Sequence, residues 1–280
     1  MPRLSWTGAL LGLLALAGCA APAAPPPSPP LSYPPSARER MLHIVRAEWA
    51  DWGCIASGLP GAALTPCAGT PAVEMGHEES RPENFPRVLA YWRAVPDDEG
   101  AIRRNRALYA AAIANPAEPQ GIWAEPAWSA AFISYVMRNA GVDEREFPSS
   151  AAHSFYIDGM LADAARFPNQ ASFIPHDPGT YAPVPGDLIC ADRSRHPLSN
   201  WRQRLSETGQ FRPMHCDIVT ATGPGVIEAI GGNVGDAVTL SRFEADSAGT
   251  PLPRGAGRPI WVVTFENRLG RLPPWGNTGS

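Results

Sequence analysis

A serine at the start of an apolar helix is the chemically most suggestive feature of this sequence. The stretch Trp123-Ala-Glu-Pro-Ala-Trp-Ser-Ala-Ala-Phe-Ile-Ser-Tyr-Val-Met-Arg-Asn-Ala-Gly141 carries Ser129 near its beginning. Serine is a weak nucleophile unless a general base lies within hydrogen-bond reach, and the positive end of a helix dipole favours both its alkoxide and an adjacent oxyanion. His215, which opens a strand-like run after Pro213-Met214, is the best candidate base, and Asn233, after Gly231-Gly232, could hold the ring in the required tautomer. Glu228 is a rival orienter, five residues nearer and with the opposite facing on an alternating strand. His153 and Tyr156 form a second constellation, His-x-x-Tyr on one helix face, which suits a second base or the edge of a substrate site.

Each residue also has a plainer reading. Serine in a first turn caps the helix, a role worth about 0.5–2 kcal/mol. His215 could satisfy a strand end, Asn233 could occupy a turn position with positive φ, and His153 and Tyr156 could simply pack a wall. Trp128 fits the core, or the side of a cleft where an aromatic ring stacks on a sugar.

The elements that must position these groups follow from periodicity. Trp128, Phe132, Tyr135, Val136 and Ala140 recur at helical spacing, Pro126 suits the first helical position and Gly141 is a stop, so the helix should span this stretch with Ser129 facing a packed interface. Ala37–Trp52 reads as a helix, with Ser36 and Glu39 as a capping box and Met41, Leu42, Val45 and Trp49 as the buried stripe. Phe85–Val95 is a helix or a strand, and Ala101–Ala114 and Ser150–Phe167 read as helices. Five short strand-like runs follow, Asp187–Ala191, Cys216–Thr222, Gly225–Ile230, Ala237–Phe243 and Pro259–Phe265. Helices followed by a meander indicate an α+β domain, with helices packed on a small antiparallel sheet. His43, His77, His176 and His196 read as surface or solvated residues.

Length and charge bound the function. A chain of 280 residues with 44% hydrophobic content can bury one good core, and a net charge of −4 leaves no electrostatic footprint for nucleic acid. All 23 basic residues are arginine, which removes lysine as a catalytic base or Schiff-base former. Residues 1–18 carry Arg3, an apolar run from Ala9 to Leu16 and a small-residue exit, a signal peptide too short to span a bilayer. Leu16-Ala-Gly-Cys19 resembles a bacterial lipobox, which implies diacylation of Cys19, and Ala20 resembles the outer-membrane sorting pattern. The alternative is ordinary cleavage at a neighbouring small residue, or a short hydrophobic anchor. Residues 19–36, rich in Ala and Pro, form an extended tether, 37–267 the folded domain and 268–280 a tail.

Export makes the remaining four cysteines disulfide candidates. Cys54–Cys67 would staple a Gly- and Pro-containing loop, and Cys190–Cys216 would bridge if their two strands pair. A metal is the rival explanation, but no CxxC or HxxxH spacing supports one, and no cofactor is expected.

Four segments carry a family likeness. Pro126-Ala-Trp-Ser-Ala-Ala-Phe-Ile-Ser-Tyr-Val-Met-Arg-Asn-Ala-Gly-Val142, Pro185-Gly-Asp-Leu-Ile189, His215-Cys-Asp-Ile-Val219 and Ile230-Gly-Gly-Asn233 resemble, in order and spacing, core motifs of the NlpC/CHAP branch of papain-like cysteine peptidases. The specific likeness is to the DUF2272 family, from about Arg40 to Phe265. That resemblance implies a papain-like fold in which a helix start carries the nucleophile, a later antiparallel strand the histidine and the next strand a polar orienter. Those positions fall on Ser129, His215 and Asn233, and His153 and Tyr156 also look like part of the pattern. Where that branch has Trp-Cys-Ala, this chain has Trp128-Ser129-Ala130. The implied function is peptidoglycan amide hydrolysis by a lipid-anchored envelope protein on the periplasmic face of the outer membrane. The alternative is an inactive homologue that binds the cell wall or a peptide, or serves as a structural partner in the envelope.

Overall fold

The computed structural model describes residues 36–68, 78–118 and 120–270. The segments expected to form a signal peptide, a lipidation site at Cys19, a tether and a tail lie outside the described residues up to residue 35 and from residue 271, as does His77. Helix α1, Ala37–Asp51, starts at the capping box: Ser36 Oγ accepts from the Glu39 N–H at 3.2 Å, and the Glu39 carboxylate accepts from the Ser36 N–H at 2.6 Å. A short strand β1, Ala56–Gly58, follows, and then helices α2, Phe85–Trp92, and α3, Ala101–Ala114. The ambiguous run at 85–95 is therefore helical; it buries Phe85, Val88, Leu89, Tyr91 and Trp92, a spacing that matches 3.6 residues per turn.

Helix α4 spans Ser129–Asn139 and α5 spans His153–Arg166. The expected start of α4 at Pro126 is corrected by three residues. The first helical bond runs from the Phe132 N–H to the Trp128 carbonyl at 2.9 Å, which makes Trp128 the N-cap and Ser129 the first helical residue.

The remaining strands are β2, Phe173–His176, β3, Leu188–Asp192, β4, Met214–Gly223, β5, Val226–Gly231, β6, Thr239–Glu244, and β7, Ile260–Asn267. They form one open seven-stranded sheet in the order β1-β6-β5-β4-β3-β7-β2. All neighbouring pairs are antiparallel except β1 with β6, so the α+β class holds but the sheet is larger than expected, and mixed. The two strands without a sequence signature sit at the edges. The three residues of β1 are too few to show alternation, and β2 contains Pro175, whose missing N–H is tolerated on an edge.

The two faces of the sheet differ. Met214, Cys216 and Ile218 of β4 join the core built with the helices, whereas Ile189, Ala191, Val219, Ile227, Ala229 and Trp261 form a smaller cluster with no helical member. By alternation, His215 and Asp217 point to this second face. Two disulfides form, Cys54–Cys67 behind α1 and Cys190–Cys216 between residues directly opposed on β3 and β4. They suggest an extracytoplasmic location. No helix among the described residues is long and apolar enough to cross a membrane.

A buried ion pair ties the loop before β4 to α5. Arg204, fully buried, donates to both oxygens of Asp158 at 2.7 and 2.8 Å and to the Gln210 carbonyl at 2.6 Å. Asp158 also accepts from the Gly209 N–H at 2.8 Å. This bidentate contact sets the approach of β4 to the helix that carries His153. Arg204→Met leaves Asp158 buried and unpaired, and should lower unfolding stability by about 3–5 kcal/mol in urea titration. Arg204→Met combined with Asp158→Leu should recover part of that loss; an unchanged midpoint in the single variant would show that the pair contributes little.

Candidate active site

Ser129 Oγ lies 2.7 Å from His153 Nε2. The two residues open two different helices, so two helix N-termini meet at one hydrogen bond. On its far side His153 Nδ1 is in hydrogen-bond contact with the Tyr156 hydroxyl, one turn further along α5. All three are buried, with Ser129 6% exposed, His153 5% and Tyr156 0%. Burial, and secondarily the neighbouring His215 and Arg193, hold the His153 pKa well below the ordinary 6.5, so the ring is neutral at pH 7. A neutral imidazole carries one N–H, so the relay runs one of two ways. If Ser129 donates to Nε2, Nδ1–H donates to Tyr156; if Tyr156 donates to Nδ1, Nε2–H donates to Ser129. Only the first direction leaves Nε2 free to accept the serine proton.

His215 belongs to a second pair. Its Nε2 lies 2.9 Å from Asp217 Oδ1, and its ring meets that of His153 edge-on with centroids 5.2 Å apart. The other nitrogen, Nδ1, is buried without a partner among the described residues. Gly231 backs the pair: a Cβ there would run into the Asp217 carboxylate and crowd His215 Nε2. A Cβ on Gly232 would meet Phe132 of α4. The two glycines thus let the β5 end approach both the histidine pair and the helix that carries Ser129.

Asn233 takes the positive φ of 56° that its place after two glycines implies. Its side chain turns to Glu79: Asn233 Nδ2 donates to Glu79 Oε2 at 2.8 Å, and Trp128 Nε1 donates to the same oxygen at 2.6 Å. Burial, aided by Asp236, raises the Glu79 carboxyl to about 7 against the opposing effect of these two donors. Glu228 is fully buried and accepts from the Leu64 and Thr65 N–H groups, each at 2.7 Å, and from Arg242 Nε at 3.1 Å. It therefore holds the 64–65 loop to β6 and orients no histidine.

The structure thus brings the expected residues into one region without linking Ser129, His215 and Asn233 in a single hydrogen-bonded chain. Ser129 reaches His215 through His153, while its neighbour Trp128 reaches Asn233 through Glu79. His215, Asp217 and Asn233 then line one cleft of about 270 Å³ on the second face of the sheet. No group of three or more His, Cys, Asp or Glu among the described residues could hold a metal.

The comparisons bear on identity at this point. A family model described as an uncharacterized protein conserved in bacteria (DUF2272) matches residues 79–259. The chain belongs to the DUF2272 family. Comparison with curated proteins and with solved structures gave no match. The DUF2272 match begins at Glu79 and encloses Ser129, His153, His215 and Asn233, so every contact of the two-histidine site falls within it.

Asp217 and Glu79 did not stand out in the sequence. Asp217 had a legible signal, since residues two apart on a strand share a face and His215-Cys-Asp217 fits that spacing. Glu79 had none, because its partners lie 49 and 154 residues away.

Glu79 supplies a test. Its folded pKa of about 7 lies above the ordinary 4.5, so its contribution to stability is complete below pH 4.5 and is lost as pH rises through about 7. Glu79→Gln retains the acceptor oxygen and removes the ionisation. Thermal melts of this variant should therefore lose less stability than the parent between pH 5 and 8, whereas parallel curves would show that Glu79 titrates normally.

Proposed function

We propose that this DUF2272 chain is an envelope hydrolase that cleaves amide bonds of peptidoglycan, with Ser129 as nucleophile and His153 as its base. The observation that carries this reading is the 2.7 Å contact between Ser129 Oγ and His153 Nε2 at the uncapped N-terminus of α4. His153 Nε2 takes the serine proton as Oγ attacks the carbonyl carbon, and Nδ1–H stays bonded to Tyr156. The oxyanion forms beside the first-turn N–H groups of α4, where no side chain competes. Collapse of the adduct breaks the C–N bond, and His153 returns the proton to the leaving amine. A water molecule, deprotonated by the same ring, then releases the acyl group from Ser129.

In this reading His215, held by Asp217, stands between the cleft and His153 as a positioning residue. A serine at a helix start, with the β4 histidine His215 one contact away through His153, is the likeness that supports placing the domain in the papain-like group. Lipidation at Cys19 and residence at the periplasmic face of the outer membrane complete the proposal, in keeping with the disulfides.

One observation favours a second reading, a binding module without turnover. Ser129 and His153 are each almost wholly covered, and a ligand in the cleft meets His215, Asp217 and Asn233 before either.

The two readings separate in an assay of fragment release from purified sacculi by the full-length protein. Under the hydrolase reading Ser129→Ala and His153→Gln each reduce release about a thousand-fold or more, and the double variant is little worse than either single one. Activity surviving in Ser129→Ala removes the mechanism, and sacculus binding that is unaffected by it, with no release in the parent, favours the module. The pH profile gives a second readout. Because burial holds the His153 pKa well below 6.5, the acid limb of kcat/KM should lie well below that of an ordinary histidine; a limb centred on 6.5 or higher would assign the base elsewhere.

A further inference from the structure

Three arginines whose guanidinium groups have no hydrogen-bonded or ion-paired partner among the described residues converge on the cleft beside His215. Arg193, Arg254 and Arg258 all line it, and among the described residues none of their guanidinium groups makes a hydrogen bond or ion pair. Elsewhere Arg204, Arg212 and Arg242 are each paired with a carboxylate. Within the cleft the only carboxylate is Asp217, and His215 already occupies one of its oxygens. The balance is three fixed positive charges against one negative.

Arg254 is held in place. Its guanidinium lies over Phe243 and Trp261, 5.2 and 4.8 Å from the ring centroids, and the two rings meet edge-on at 4.8 Å. Stacking takes up the flat face of the guanidinium and leaves the N–H fork along its edge for a planar anion. Burial first, and also the nearby Arg258, weigh against its charge and outweigh the support of Asp217, so an anion here would relieve an existing cost. The lining also includes Asn233, whose Nδ2 is committed to Glu79, which leaves the amide oxygen to accept an N–H from a ligand.

We infer that this cleft is a subsite for a carboxylate-bearing peptide, with the carboxylate on the Arg254 fork near Arg193 and Arg258, its apolar part against Trp261 and Phe243, and a backbone N–H on Asn233. A phosphate dianion fits less well, because it offers no N–H to Asn233 and no apolar part to Trp261 and Phe243. The inference rests on the proposed hydrolase reading for what the subsite serves, not for whether it binds.

The test uses full-length Ser129→Ala protein, so that binding is separated from turnover. It is titrated with N-acetyl-alanyl-alanine, with the same dipeptide as its C-terminal carboxamide, and with inorganic phosphate, by calorimetry. The free acid should bind at least ten-fold more tightly than the carboxamide and more tightly than phosphate. Arg254→Gln should erase the preference for the acid, and Arg258→Gln, at an exposed position where the fold is not at stake, should weaken acid binding at least three-fold. Equal binding of acid and carboxamide overturns the subsite, as does tighter binding of phosphate, or indifference to both arginine variants. Acid-selective binding in a protein that never releases sacculus fragments sinks the hydrolase and keeps the subsite; release without acid selectivity does the reverse.

Discussion

The site depends on the burial of α4. Eight of its eleven residues are buried, including both serines, so each polar group along it must find a partner inside the protein. Ser134 does so against the backbone of Ser150, donating to its carbonyl at 3.1 Å and accepting from its N–H at 3.0 Å. That contact draws the segment before α5 against α4. It also brings the start of α5 to the start of α4, where His153 is the partner found for Ser129. The small residues Ala130 and Ala131 allow the close approach, and Gly232 lets the sheet close in on Phe132 from the other side. The Ser129–His153 bond is thus the polar end of a helix that is otherwise fixed by apolar packing.

A frame of aromatic rings and carboxylates holds the N-cap. Trp128 stacks on Trp52 with centroids 5.3 Å apart and touches Tyr91, whose hydroxyl accepts from Trp52 Nε1 at 2.9 Å. Glu48 of α1 accepts from the Tyr91 and Tyr135 hydroxyls, and Glu79 accepts from the Trp128 indole. Two carboxylates therefore terminate every polar group that this ring cluster would otherwise bury unsatisfied. Because Trp128 immediately precedes Ser129, fixing the indole fixes the nucleophile candidate, and Glu79 passes the constraint on to Asn233 at the cleft. The aromatic reading of Trp128 as core and the placement of Asn233 near the site are two ends of one contact.

Local pattern made the elements legible, and tertiary geometry decided the partners. The capping box at Ser36, the stripe of α1, three further helices and five strands could be read from spacing, because each element's own residues specify it, whereas the run at 85–95 allowed a helix or a strand. The region of the site was legible for the same reason: a helix start, a strand head and a Gly-Gly-Asn turn each have local signatures. Which histidine would meet Ser129 did not follow from any of them. His153 and His215 both lie at the start of an element, and the choice lies in how α4, α5 and β4 cross, which is set by the Ser134–Ser150 contact and the Arg204–Asp158 pair. Glu79 was invisible because it acts across 49 residues to Trp128 and 154 to Asn233. The start of α4 departs from the sequence reading because Pro126 favours a first helical position locally, while the helix begins at Ser129, three residues later, with the buried Trp128 as its cap.

The same desolvation bears on whether the proposed nucleophile at position 129 works better as a serine or as a cysteine. A thiolate–imidazolium pair at rest requires a protonated histidine, and the surroundings of His153 work against that: burial first, then His215 and Arg193. A cysteine here would have to form its ion pair at the most desolvated position in the site. Serine makes a smaller demand, since the resting pair is neutral and positive charge appears on the ring only as negative charge develops on the oxyanion. On the proposed mechanism the two charges arise together, beside the free N–H groups of α4. A buried neutral Ser129–His153 pair is therefore consistent with its surroundings as it stands. On the proposed mechanism the Ser129 hydroxyl and the depressed basicity of His153 suit each other, and a thiol at position 129 would be mistuned to that ring.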